Sequence, residues 1–185
     1  MRFSRAWRAV VTLACVGALA LGVTACVPSE PKPTPTPTKT AIFASEDEAL
    51  QAAVDVYQQF NAVLDGISQS SKPSPDELKP LVSADFYSRI SNDLTNSNDG
   101  EYTIGSSAFR DQKLISVSQS KEDATISIGI CRDLTHVKVY DASGADITES
   151  RKVDVVPLEV SFVWNTDDSR LVIDGLDAWH ESESC

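Results

Sequence analysis

The sequence predicts an α+β domain, and two observations carry that expectation. Apolar residues between positions 45 and 95 recur at three- and four-residue steps, whereas those after position 100 alternate at a period of two. A third feature separates this domain from what precedes it. In the stretch "LGVTACVPSEPKPTPTPTKT", residues 21–40, an apolar run ends at one cysteine and turns at once into prolines and threonines.

The elements follow in order. Ser45-Glu46-Asp47-Glu48 reads as a capping box, with the serine able to cap and the glutamate able to reach back. Its acids suit the positive end of a helix dipole. Ala49, Ala53, Val56, Phe60, Val63, Leu64 and Ile67 then mark one face of a long helix. Ser74-Pro75-Asp76-Glu77 repeats the signature, with proline at the first helical position, and predicts a short helix ending near Leu81. Ser83 caps a third helix, whose stripe is Phe86, Ile90 and Leu94, and Asn96-Ser97-Asn98-Asp99-Gly100 closes the helical half.

Beyond that point Ile115 and Val117, then Ile126, Ile128 and Ile130, alternate with polar residues around a turn at Ser120–Asp123. Residues Leu134–Tyr140 read as a further strand, ended by the turn Asp141-Ala142-Ser143-Gly144. Val156, Leu158, Val160, Phe162 and Trp164 share one face of a long strand. The turn Asn165–Ser169 leads into Leu171–Asp174 and on towards Trp179. Pro157 lacks an N–H for a ladder and so marks an edge, a bulge or the strand's start.

The amino end has its own logic. Arg2, Arg5 and Arg8 precede a run from Ala9 to Cys26 with no charged residue, which is the layout of a secretory signal. Val23-Thr24-Ala25-Cys26 resembles the lipobox of bacterial lipoproteins: an aliphatic residue, two small ones and an obligatory cysteine. That resemblance implies that the Cys26 thiol takes a diacylglycerol and that cleavage before it makes Cys26 the first mature residue. Two acyl chains, of the palmitate kind, suffice for stable anchoring. A plain transmembrane anchor is the rival, but the uncharged run only reaches the lower limit for a span. No basic stop-transfer cluster follows it, only Pro28, Ser29 and Glu30. The expected organisation is a leader at 1–25, a Pro/Thr-rich tether at 26–44 and a single domain at 45–185. Alternating proline holds a tether near polyproline II, at ~3.1 Å per residue, so residues 27–44 span on the order of 50 Å.

Composition narrows the partners. Removing residues 1–25 takes away three arginines and no acid, leaving 13 basic against 27 acidic residues, net −14. Such a surface repels phosphate backbones and offers no clustered Lys/Arg footprint, which excludes nucleic acid. The membrane, through the lipid, is the expected partner, with a protein or small-molecule ligand left open. Of the four cysteines, Cys15 leaves with the leader and Cys26 carries lipid. Cys131 and Cys185 remain as an even pair in an exported chain and are expected to form a disulfide. Two cysteines without a CxxC, with only His136 and His180 to help, make a poor metal site. No metal or cofactor is expected.

The order of elements is similar to the cone-shaped, cystatin-like fold of the nuclear transport factor 2 superfamily. The cysteine before "RDLTHVKVYDASGAD" and the closing "RLVIDGLDAW" look like exported actinobacterial lipoproteins with that fold. The resemblance spans roughly residues 45–180. It implies a long N-terminal helix plus two short helices packed in a curved antiparallel sheet, with a pocket inside the cone. Some members use that pocket for isomerase or dehydratase chemistry, and many use it for binding. Candidate acid–base groups are Asp55 and Tyr57 on the long helix and Asp133 and His136 near one strand start. Asp133 and His136 differ by an odd number of residues, so a regular strand would face them apart. His180 lies in the acidic tail "HESESC". Tyr57, Phe60, Trp164 and Trp179 are candidate pocket walls, although aromatic stripes more often form core. No nucleophile, zinc or phosphate-loop motif occurs. The expected function is therefore a membrane-anchored extracytoplasmic lipoprotein acting as a non-catalytic binding or accessory module. The rival is a small pocket enzyme of isomerase or dehydratase type.

Overall fold

The computed structural model describes residues 41–70, 74–96, 100–180 and 185. The leader, Cys26 and the tether as far as residue 40 lie outside the described residues. So do residues 97–99 of the expected turn and 181–184 of the acidic tail.

Helix α1 spans Glu46–Ser68. Ser45 Oγ accepts from the Glu48 N–H at 3.1 Å, and Glu48 Oε2 accepts from the Ala44 N–H at 2.7 Å. The glutamate thus reaches one residue further back than a capping box requires. Ala49, Ala53, Tyr57, Phe60, Leu64 and Ile67 form its buried stripe. Ser83 Oγ accepts from the Phe86 N–H at 3.1 Å and starts α2, Ala84–Asn96.

The expected helix between them is absent. Pro75–Leu78 makes only a 3-10 turn, and Ser74 gives it no side-chain cap. Pro80 follows two residues later and has no N–H to donate to the Asp76 carbonyl four residues back, so an α-helical ladder cannot continue through it. Among the described residues two α-helices, one long and one short, replace the expected three.

The sheet departs from expectation as well. Among the described residues six strands run β1 Tyr102–Ile104, β2 Ala108–Gln119, β3 Ala124–Asp133, β4 Lys138–Tyr140, β5 Val155–Asn165 and β6 Arg170–Ala178. They form two antiparallel sheets rather than one curved sheet: a four-stranded one in the order β2-β3-β5-β6 and a two-stranded ribbon, β1-β4. Two bends cause the division. Gly105 holds φ +104°, and a Cβ there would collide with the carbonyl oxygen of His136, so only glycine lets the chain turn between β1 and β2. After β3, Asp133 accepts from the Thr135 N–H at 2.9 Å, an Asx turn that ends the strand. Of the strand expected at Leu134–Tyr140, only Lys138–Tyr140 is extended. Pro157 sits three residues into β5, ahead of the first β5–β6 pair, Leu158 with Ala178.

Helix α1 packs on β2, β3 and β6. The space between helix and sheet is filled: Tyr57, Phe60, Leu78, Ile128, Ile130, Val160, Phe162 and Ile173 are each less than 2% exposed. Each such side chain contributes about 1.5–3 kcal/mol of transfer free energy. That filling leaves no room for the pocket expected inside a cone. Strand β3 is buried on both faces from Ile126 to Cys131. The outer cover includes the Cys131–Cys185 disulfide, with Cα atoms 5.6 Å apart. Among the described residues no helix is long and apolar enough to cross a membrane.

Candidate functional site

With the helix–sheet interior filled, the concave surface described here lies around the helices. A largely apolar cleft of about 330 Å³ is lined by the late turns of α1 and α2 and by the β1-β4 ribbon. The two helices touch where the Phe60 and Phe86 rings lie 6.4 Å apart. One and two turns further along, Leu64 and Ile67 on α1 and Ile90 and Leu94 on α2 line the cleft. These are the last members of the two helical stripes. Tyr102, Thr103 and Val139 form the ribbon wall. Tyr102 and Tyr140 are directly opposed across β1 and β4 and stack at 5.4 Å and 15°, which braces that wall.

Two exposed carboxylates, Asp93 and Glu101, also line this cleft. Neither has an ion-pair partner among the described residues. The one hydroxyl on the α1 side, Ser68 Oγ, donates back to the Leu64 carbonyl at 2.9 Å. The site can therefore enclose an apolar group and place negative charge beside it.

A second feature is a buried polar cluster on the other flank of α1. Tyr57, Asn61 and Asp65 follow one another at four-residue steps on one helical face. Asp65 Oδ2 accepts from the Ser107 N–H at 2.7 Å, and Oδ1 accepts from Ser107 Oγ at 2.8 Å and Arg132 Nη2 at 3.3 Å. Asn61 Nδ2 donates to the Ser107 carbonyl at 3.3 Å. Gln69 Nε2 donates to the Gly105 carbonyl at 2.9 Å. Together these bonds tie the β1–β2 bend to α1. Burial pushes the Tyr57 phenol up to about 12, partly offset by the Arg132 guanidinium and reinforced by the Asp65 charge. A shallow polar cleft of about 470 Å³ opens beside the cluster. Both Asp65 oxygens already accept hydrogen bonds from the protein, so the arrangement serves as a latch.

The residues singled out from sequence are scattered by the fold. Asp55 is exposed and accepts from Gln51 Nε2 at 2.8 Å, while Tyr57 faces the core. Asp133 is engaged by Thr135, whose hydroxyl and N–H hold its carboxyl below the usual range, and His136 is exposed. His180 is exposed too. Tyr57 and Phe60 are core residues, Trp179 is buried against the outer face of β3, and none of the three lines a cleft described here. Trp164 alone of the four lines a cleft, one of about 270 Å³ beside Phe43, whose ring meets it edge to face at 6.0 Å. Sequence reasoning missed Asn61, Asp65, Ser107 and Arg132. Their one legible signal was a polar residue repeating every fourth position on a buried stripe. Among the described residues no three His, Cys, Asp or Glu side chains are grouped to hold a metal ion.

No family model matches the chain, and no curated protein does. Among solved structures it is similar to the intermembrane space region of the chloroplast protein ARC6. The TM-score is 0.50 at 10% identity, over 70% of this chain and 95% of that one. At that identity the likeness is one of fold.

Proposed function

We propose that the chain is an extracytoplasmic lipoprotein of the kind exported by actinobacteria, whose domain is a non-catalytic binding module. Diacylglycerol on Cys26 holds it at the outer face of the cell membrane, and the Pro/Thr tether spaces the domain from the bilayer. Support for the anchor is Val23-Thr24-Ala25-Cys26 behind an uncharged run. Support for binding rests on one observation: the 330 Å³ apolar cleft, at the lower end of the size range of small-molecule sites. The isomerase or dehydratase reading has Asp65 near Tyr57 as its best pair, but the Asp65 oxygens are engaged by Ser107 and Arg132.

Mass spectrometry of the membrane-extracted protein tests the anchor. The expected amino-terminal peptide starts at Cys26 with diacylglycerol attached, and an unmodified terminus overturns it. Hydrogen exchange tests the module, with intact lipoprotein in phosphatidylcholine nanodiscs and the neutral probe 4-phenylbutanol. Saturable protection of residues 64–68, 90–94 and 101–103 is expected. Protection elsewhere only, or none, refutes the cleft as the site.

A further inference from the structure

The character of the cleft's ligand can be taken further, on the footing that the cleft is the binding site. We infer that it takes a small amphiphile carrying one protonated amine. The apolar body packs among Leu64, Ile67, Ile90 and Leu94, and the ammonium sits at the mouth beside Asp93 and Glu101.

Three observations carry this. First, the described lining holds two carboxylates and no Lys or Arg, so its charge is of one sign. Second, those carboxylates lack counter-ions among the described residues, so an incoming ammonium displaces no existing pair. Lys138 lies on neighbouring β4 but pairs with Asp146 at 3.3 Å. Third, the volume of about 330 Å³ suits a single small ligand rather than a long chain. Tyr102 adds an aromatic ring to the same lining, a surface to which cations are attracted. An anionic head would meet repulsion from both acids, and a neutral hydroxyl could donate a hydrogen bond to them but would lack the charge–charge attraction.

The test compares three probes of matched length, 4-phenylbutylamine, 4-phenylbutanol and 4-phenylbutyrate, titrated against the intact lipoprotein in nanodiscs. Protection of residues 64–68, 90–94 and 101–103 is the readout. The amine should half-saturate at about tenfold lower concentration than the alcohol, as two exposed charge contacts allow. The carboxylate should bind more weakly than either. The Asp93→Asn/Glu101→Gln double variant should lose the amine's advantage while keeping the alcohol's affinity. Glu122→Gln, an exposed acid on the β2–β3 turn, should leave all three unchanged. Equal binding of amine and alcohol overturns the amine assignment and leaves the cleft reading intact. Failure of all three probes overturns both. Protection that rises with protein concentration and no probe means that a second copy occupies the cleft, and it too overturns the assignment.

Discussion

The indole of Trp179 occupies the place that a side chain on residue 129 would need. A Cβ built on Gly129 would stand 2.5 Å from Cε2 and 2.6 Å from Cζ2 of that ring. Ser127, Gly129 and Cys131 share the outer face of β3, and each meets a different cover. Ser127 Oγ donates to Glu159 Oε1 at 2.5 Å, Gly129 takes the indole, and Cys131 takes the disulfide to Cys185. The missing side chain at 129 is what lets the Trp179 indole lie against the sheet. These covers account for the burial of β3 on both faces.

Gly129→Ala should therefore destabilise the domain by about 1–3 kcal/mol, the usual range for overpacking. Urea unfolding measures the loss, and tryptophan emission should shift to the red as the indole is displaced. Gly66 in α1 has nothing within 4 Å of an added Cβ. Gly66→Ala should instead stabilise by about 0.5–1 kcal/mol, since it removes backbone entropy from the unfolded chain without a clash. Equal effects at the two positions would refute the role given to Trp179.

The disulfide acts on the same face. It closes a separation of 54 residues, and the chain-entropy model assigns such a loop ~4 kcal/mol. Reduction with dithiothreitol, or Cys131→Ala with Cys185→Ala, should lower the urea-derived stability by that order. It should also expose Trp179 to acrylamide quenching. A reduced protein with unchanged stability and quenching would count against the staple.

Much of this was legible in the chain, and the failures have physical causes. The caps at Ser45 and Ser83, and the stripes Ala49–Ile67 and Phe86–Leu94, are local signals that tertiary contacts did not override. The pair Cys131–Cys185 followed from the cysteine count together with the expectation of export. The helix expected after Ser74 failed because Pro75 marks a first turn equally well for α and 3-10 geometry, and Pro80 decided between them. The division into two sheets turned on Gly105, whose close approach to His136 is set by a residue thirty-one positions away. Of the site, Leu64, Ile67, Ile90 and Leu94 were visible only as core. Whether the end of a stripe meets another element or open space is decided by the ribbon that covers it. Arg132 was hidden for a similar reason: its partner Asp65 is 67 positions away.

That pair yields a third expectation. The side chains of Arg132 and Asp65 are 20% and 11% exposed, so the carboxylate would be poorly hydrated without its counter-ion. Arg132→Met should cost about 2–3 kcal/mol, somewhat below the range for fully buried pairs because both groups keep some water contact. Arg132→Met with Asp65→Asn should recover part of that loss, because the amide needs no counter-ion. A double-mutant cycle by urea unfolding checks this. Additive losses would mean that the two side chains do not interact.

The fourth expectation concerns alkaline pH and rests on Tyr57. Burial raises its phenol from 10.0 to about 12, so the folded protein holds this proton more tightly than the unfolded chain does. Below pH 10 both states keep the proton, and the contribution to stability is fully present. Between pH 10 and 12 the unfolded chain ionises first, so unfolding is favoured and stability falls as pH rises through about 12. The total lost to this one group is roughly 2–3 kcal/mol. Other tyrosines and the lysines also titrate there, so the informative quantity is a difference in slope. Urea unfolding from pH 9 to 12 should give a steeper decline for the native chain than for Tyr57→Phe, which lacks the group. Parallel curves would mean that the phenol ionises alike in both states, and the buried position of Tyr57 against α1's polar latch would have to be abandoned.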